Sequence, residues 1–563
     1  MADTPKPWSE AELSTLATLA ETFAGGDALR RARLATEALG RAADPSQVAQ
    51  LRLVLRAVES PLANLLLAGR ARALRSMSPS ERERYLLSWA TSRIPLRRSA
   101  FQAFRKLLTF LAYADPGVER PNPRLLALGY EPDRPPPTGT PAAIVPLRPP
   151  FELGRPDEAM ELEADAVVVG SGAAGGVVAA QLAAAGRSVV VLEAGPFVDE
   201  PSMPTDELDA FGRLFLNHGL LTTWDGSVTM LAGTAVGGGT LVNWATTLPA
   251  PEWIRDEWRR EHGVEGLVGE PWSSDVAAIE AELGVTETTT FPPKDTAILR
   301  GAAALGWEAG PTRRNAAGCD DCGSCSFGCR RGSKRSGLRA HLAAAHAHGA
   351  RIVPRVRVTN VLRAGGRVAG VEGNALRTDP TSGAPAGPAS TRRLRVRAPV
   401  VILAAGGLRT PAILATSGLD HPAIGRNLRI HPVPVVAGVF EEPIDMWRGP
   451  LQAARSLEFA EPGPGRLGYV IESAPGHPGL LALALPWEGS DAHAAIMAAA
   501  RRICPLIAVT RDGGSGRVAL TRAGRVRVDY ALDRAGVATL RHALVSMARL
   551  ARAAGAREIV AAG

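Results

Sequence analysis

Lysine is almost absent from this chain: four occur, at positions 6, 106, 294 and 334, so nearly all of the 64 basic residues are arginine. The net charge of +8 is the small excess of these over 56 acids scattered among them. Aromatic residues make up 5% and do not interleave with the arginines in a stripe, so nucleic acid is not an expected partner. One short basic run, Arg392, Arg393, Arg395 and Arg397, reads as a solvent-facing edge strand, with contact to an anionic lipid or phosphate as the sharper alternative. No apolar run reaches the ~18 residues of a membrane span. The N-terminal MADTPKPWSE lacks the charged and apolar blocks of a secretory signal, so the expectation is a cytoplasmic protein, with peripheral membrane contact left open. Cysteine is scarce too. Four of the five fall between Cys319 and Cys329, which argues against a secreted disulfide framework. Internal repeats are lacking. What remains is ordinary globular composition, 46% hydrophobic and 21% charged over 563 residues, enough for two to four domains.

The most informative stretch that is present runs from Asp165 to Gly195, DAVVVGSGAAGGVVAAQLAAAGRSVVVLEAG. A buried strand, Ala166 to Val169, turns through Gly170, Gly172 and Gly175 into an Ala-rich helix. A second apolar strand, Ser188 to Leu192, ends on Glu193. This is a βαβ dinucleotide fingerprint: Gly170 for the tight turn, Gly172 for close approach of a pyrophosphate, Gly175 for helix–strand packing, and the helix N-terminus for the phosphate charge. Glu193, 23 residues beyond Gly170, is placed to accept hydrogen bonds from a ribose diol.

Around this unit the chain changes texture. Residues 9 to about 115 read as a helical domain, with capping boxes expected at Ser9–Glu12 and Ser80–Glu83. Nine prolines between Pro132 and Pro156 predict a stiff linker. A second glycine-rich segment, LAGTAVGGGTLVN, offers bare backbone at Gly237, Gly238 and Gly239 and an amide at Asn243; it suits a flat ring or phosphate, and equally a structural turn. Strands are expected at 351–362, 368–372, 395–405, 516–520 and 525–530, with a long amphipathic helix from Ala535 to Ala554. A Pro-, Gly- and Ser-rich loop tip is expected at 379–390.

Cys319, Cys322, Cys325 and Cys329 have the CxxCxxCxxxC spacing of iron–sulfur proteins, although Arg330 stands where ferredoxins carry proline. Three readings stay open: an iron–sulfur cluster, a zinc site, and thiols or local disulfides in a structural loop. Cys504 is expected to be a buried small hydrophobe. His341, His346 and His348 lack the spacing that puts two ligands on one helix face, so a helix surface is expected for them.

Taken in order, three segments resemble the signatures of the glucose–methanol–choline (GMC) oxidoreductases, FAD enzymes that oxidise alcohols: GGGTLVN at 237–243, GGLRTPAILATSGL at 406–419 and GRNLRIHP at 425–432. The helical extension ending in NPRLLALGY, the cysteine segment and RGSKRSG are similar to the long-chain (fatty) alcohol oxidases within that family. The resemblance, which covers about residues 161 to 560, implies FAD. Gly170, Gly172 and Gly175 would hold the pyrophosphate and Glu193 the adenosine ribose. Gly237, Gly238, Thr240 and Asn243 would lie along pyrophosphate and flavin, and the Val358 backbone would meet adenine. It also implies an α/β FAD-binding, Rossmann-like domain with an α+β substrate domain built on an antiparallel sheet, preceded by the helical N-terminal domain. The expected division is 1–130 helical, 131–160 linker, 161–255 with 334–436 for FAD, 256–333 as a cysteine-containing cap, and 437–563 for substrate.

The reaction this implies is oxidation of a primary, long-chain or apolar alcohol to the aldehyde, by hydride transfer to flavin N5 with O2, a quinone or a cytochrome as final acceptor. Family members continue past a helix like Ala535–Ala554 into a stretch with the active-site histidine. This sequence ends at Gly563 without one, so the expectation is a C-terminally truncated body. His431 is the nearest candidate base by motif position, with a structural or flavin-side role favoured for it. A non-catalytic flavin or iron–sulfur electron-transfer module and an inactive truncated homologue are the alternatives.

Overall fold

A computed structural model describes residues 7–42, 44–117, 122–130, 160–376 and 393–561. The expected linker, the loop tip at 379–390 and Arg392 lie outside these, apart from Met160. The described residues have a helical N-terminal region followed by mixed sheets.

Helices Glu10–Ala24, Ala28–Ala42, Pro45–Val58, Pro61–Ala68, Pro79–Ala90 and Pro95–Ala114 fill the N-terminal region. Ser9 and Glu12 form the expected capping box, each side chain accepting from the other's backbone N–H. The second box is displaced: Ser78 and Glu81 make it, not Ser80 and Glu83. Pro79 decides this, because its fixed φ and missing N–H suit the first helical position and put the cap at Ser78, two residues before the expected one. The long last helix buries Phe101, Phe104, Leu108 and Leu111 against Leu16, Leu19 and Phe23, with Trp487. Burial of each such side chain is worth about 1.5–3 kcal/mol. The same core continues without a break into Val168, Ala179, Val189, Val191, Leu241 and Leu338, so the helices are seated on the glycine-bearing unit.

Four strands form a parallel sheet in the order Val400–Leu403, Ala166–Val169, Val189–Leu192, Arg351–Val353. Beside it lies a mixed sheet in the order Met160–Glu163, Arg393–Arg397, Arg367–Ala375, Val356–Ala364. Their facing valines, among them Val167, Val190, Val358, Val371 and Val396, make a second core. The continuous strands expected at 351–362 and 395–405 are each two strands, because the chain passes from one sheet to the other. At the first crossing Arg355 has φ +60°, and Arg355 N and Val356 N donate to Gly195 O and Glu193 O at 3.0 and 2.8 Å.

The basic run is not an edge strand. Arg393–Arg397 is flanked on both sides, and its arginines are matched by Glu161 and Glu372: Arg395 reaches both, at 3.3 and 3.0 Å, and Arg397 reaches Glu161 at 2.9 Å. A third, antiparallel sheet runs Glu558–Ala561, Val435–Val439, Ile503–Thr510, Tyr469–Ser473, Ala454–Ser456, Ala309–Pro311. Helices Pro293–Leu305 and Arg534–Ala553 pack on it.

Glu207 fastens this third region to the rest. Its carboxylate accepts from Gly479 N and Leu480 N at 2.6 and 2.9 Å, in the first turn of helix Pro478–Ala484. Burial pushes its pKa up to about 8 from the ordinary 4.5, with Asp206 adding to the rise and the two N–H donors opposing it. A folded-state pKa above the unfolded one means that the protonated group's contribution is complete below about pH 4.5 and is lost as pH climbs through about 8. Thermal unfolding should therefore show stability falling across that window, and Glu207→Gln should flatten the slope. An equal slope in the variant would remove Glu207 as its source.

Candidate functional site

The strand Ala166–Val169 ends at Gly170, φ +101°, and the helix Ala173–Ala184 starts at Gly172. The turn tolerates no side chain where the backbone packs. A Cβ on Gly175 would lie 2.0 Å from Gly170 O, and one on Gly170 would lie 2.4 Å from Ala404 O, at the end of the adjacent parallel strand. Gly172 is different: nothing lies within 4 Å of its Cβ direction. Its helix has no side-chain cap, and Ala173 and Ala174 are exposed. The first-turn N–H groups therefore face open space with the positive end of the helix dipole behind them. Helix Gly406–Thr416 also lacks a side-chain cap, with Gly406 and Gly407 exposed. Two helix N-termini thus rise from the carboxyl ends of neighbouring parallel strands, where open α/β sheets bind ligands.

Glu193 is buried and turned onto this loop. Oε2 accepts from Ser171 N and Oγ at 3.0 and 2.6 Å, and Oε1 accepts from Gly195 N at 2.8 Å. Burial raises its pKa, opposed by these donors. A carboxylate offers about four lone-pair sites, so acceptor capacity for a diol remains. Ser171 Oγ in turn accepts from Gly237 N at 3.1 Å. Through Ser171 the acid that ends the second strand is linked to the second glycine-rich segment. The backbones of the two segments abut: a Cβ on Gly238 would stand 2.8 Å from Gly172 Cα, whereas Gly239 faces open space.

The remaining expected residues fall into three groups. Thr240 acts as a clip, its Oγ1 donating to Gly237 O at 2.6 Å and accepting from Gly337 N at 2.8 Å. Asn243 is exposed beside Gly239, and Val358 lies two residues beyond Val356, whose N–H meets the Glu193 carbonyl. His431 is exposed and makes no hydrogen bond or ion pair among the described residues. Nothing in its surroundings fixes a tautomer, as a general base requires.

The cysteine loop packs as a structural element. All four thiols are free, Cys325 buried and the others half-buried. Among the described residues no group of three or more His, Cys, Asp or Glu is placed to hold a metal ion. An iron–sulfur cluster is therefore not supported, and the same geometry speaks against zinc. Burial raises the pKa of Cys319 and Cys322 and pushes Cys325 up to about 12. The short glycine steps serve packing instead: a Cβ on Gly323 would lie 1.9 Å from Trp447 O, and one on Gly328 would lie 2.3 Å from Met203 Sδ. Cys504 is buried as expected, its Sγ donating to Lys294 O at 3.4 Å.

Lys334 has a role that sequence reasoning missed. It is 2% exposed, and its Nζ donates to the carbonyls of Leu241, Asn243 and Cys325. One ammonium thus clamps the end of the second glycine segment to the cysteine loop, and Trp244 Nε1 adds a bond to Ser326 Oγ at 2.9 Å. Ala245, next in the chain, is buried with φ +69°, a conformation that costs a non-glycine residue about 1–2 kcal/mol. His341 is also not as expected. It is buried in a π-turn, Leu338–Leu342, and pairs through Nδ1 with Glu282 at 3.2 Å, whereas His346 and His348 are exposed.

These residues fit a dinucleotide. Where backbone must pack against backbone a Cβ would collide, at Gly170, Gly175 and Gly238; where a ligand would lie the space is clear, at Gly172 and Gly239.

The GMC oxidoreductase family model matches residues 165–433. An uncharacterized GMC-type oxidoreductase of Mycobacterium tuberculosis is 35% identical over 70% of this chain and 61% of its own length. The chain thus spans less than two thirds of that relative. A long-chain-alcohol oxidase of Arabidopsis thaliana is 30% identical over 93% of this chain and 74% of its own. Among solved structures, a formate oxidase of Aspergillus oryzae superposes with a TM-score of 0.49 at 15% identity, over 70% of this chain and 82% of its own.

Proposed function

Because the chain belongs to the GMC oxidoreductase family, we propose that it is the body of an FAD-dependent enzyme that oxidises a primary alcohol with a long or apolar tail. The observation that carries this reading is the junction of the two glycine segments, joined by the Glu193–Ser171–Gly237 hydrogen bonds and by the contact of Gly238 with Gly172. In it the parallel sheet and its helices are the dinucleotide domain, and the antiparallel sheet is the floor of the substrate domain. Bound FAD would supply the two-electron acceptor for a hydride from the alcohol carbon.

The chain's own residues bind and orient. Gly172 and the uncapped helix behind it receive the pyrophosphate. Glu193 accepts from the ribose hydroxyls, and the Val358 backbone borders the adenine. Gly239 and Asn243 lie along the ring, held in register by Thr240 and by Lys334. His431 is assigned a flavin-side role other than that of the base, because its ring is exposed and unoriented. The tail preference rests on the alcohol oxidase relative and on the shared helical extension.

Purified protein should carry yellow flavin absorbance, and primary alcohols should reduce a dye in its presence, faster for long chains than for short ones. Protein that takes up no FAD on reconstitution would sink the reading. Flavin that binds without any alcohol-dependent reduction would favour the electron-transfer alternative.

A further inference from the structure

The helix Pro61–Ala68 is built inside out. Its one polar side chain, Asn64, is 1% exposed; Nδ2 donates to Val58 O and Arg72 O, both at 2.7 Å, and Oδ1 accepts from Tyr85 OH at 2.6 Å. Three bonds fix which face looks inward, and Leu62, Leu65 and Leu66 look out, 66%, 48% and 77% exposed. Leu53 on the preceding helix is 59% exposed as well. Tyr85 packs on Trp89 and Arg97 lies over the Trp89 ring; further along the chain Ile94 and Leu96, on either side of Pro95, are also exposed.

The charge in this part of the chain is predominantly positive. Residues 52–98 hold ten arginines and three glutamates, a net +7 where the whole chain has +8. The three acids are already engaged, Glu59 with Arg75, Glu81 with Arg72 and Glu83 with Ser490 N, and Glu12 and Glu21 of the first helix take up Arg52, Arg56 and Arg82. Arg84 and Arg93 are exposed and make no ion pair among the described residues. No described helix is long and apolar enough to cross a membrane.

Outward leucines in an arginine-rich segment describe an element that lies in a lipid interface, the apolar side chains entering the acyl boundary and the guanidinium groups meeting phosphates. A second copy of the chain would present the same positive field and be repelled. Nucleic acid would have no use for solvent-facing aliphatic leucines, since its bases stack on aromatic rings. We infer that the outward leucines Leu62, Leu65 and Leu66, with the exposed Arg84 and Arg93, dock the protein onto an anionic lipid surface. This does not depend on the proposed reaction, although it would bring the protein to where long-chain alcohols partition.

The test is sedimentation of the full chain with vesicles, of phosphatidylcholine alone or mixed with phosphatidylserine, without alcohol. Binding is expected to the mixed vesicles only and to weaken with salt. The double substitution L62S and L66S should weaken it by about tenfold or more, with unchanged thermal unfolding since both side chains are exposed. R84Q with R93Q should reduce the preference for phosphatidylserine. Absent binding, or binding unaltered in both variants, would overturn the inference. So would a concentration-dependent dimer that L66E dissociates, since the face would then belong to a second copy. Flavin absorbance of the same samples reads the proposed function separately.

Discussion

Lys334→Met is expected to lower stability by about 3 kcal/mol, because three buried carbonyls lose their donor and each unsatisfied group costs about 1–3 kcal/mol while the relieved ammonium desolvation returns part. It should also strip the purified protein of flavin. The carbonyls concerned belong to Leu241, Asn243 and Cys325, so loss of the ammonium frees the end of the second glycine segment from the cysteine loop. Burial already lowers the Lys334 pKa, but the three acceptors oblige it to donate. The comparison is Lys294→Met. Lys294 is equally buried, bonded to Asp295, Pro450 O, Leu451 O and Ser473 Oγ, in a network that leaves the glycine segments untouched. Its loss should destabilise at least as much, yet folded protein should retain its flavin. If both variants keep flavin in proportion to folded protein, the clamp has no bearing on the site.

Gly172→Ala and Gly175→Ala should separate ligand-facing from packing glycine. At Gly175 the new methyl carbon meets Gly170 O at 2.0 Å. Backbone on both sides cannot yield, and a cost of about 3 kcal/mol or more is expected. At Gly172 the space is open and φ is −68°, so thermal unfolding without flavin should change by no more than about 1 kcal/mol, the loss of a favourable N-cap residue. Flavin affinity should nevertheless fall about 10- to 100-fold, the worth of displaced charge-assisted bonds to a phosphate. Fluorescence titration of FAD into both apoproteins measures this. Unchanged affinity in Gly172→Ala would place the pyrophosphate elsewhere.

The βαβ unit was legible because every constraint in it is local. Gly170, Gly172, Gly175 and Glu193 lie within one strand–helix–strand, and the second glycine segment carries its own signature. What could not be read depends on residues distant in sequence. The arginines at 393–397 looked like an edge because their partners, Glu161 and Glu372, come from other strands. His341 looked like surface because nothing near it announces Glu282. Lys334 stood in a recognised motif, but its work is done on carbonyls, which carry no sequence signal. The cysteine spacing misled in the opposite way: Gly323 and Gly328, which could have curled the loop around a metal, instead seat it on Trp447 and Met203.

The strand order of the parallel sheet also fixes when, during synthesis, the site can exist. One neighbour of Ala166–Val169 is Val189–Leu192, made almost at once. The other is Val400–Leu403, and Ala404, just beyond it, is the wall against which Gly170 and Gly175 pack. Until Ala404 leaves the ribosome, the nascent chain carries an open parallel edge and half a turn. It is then exposed to mispairing.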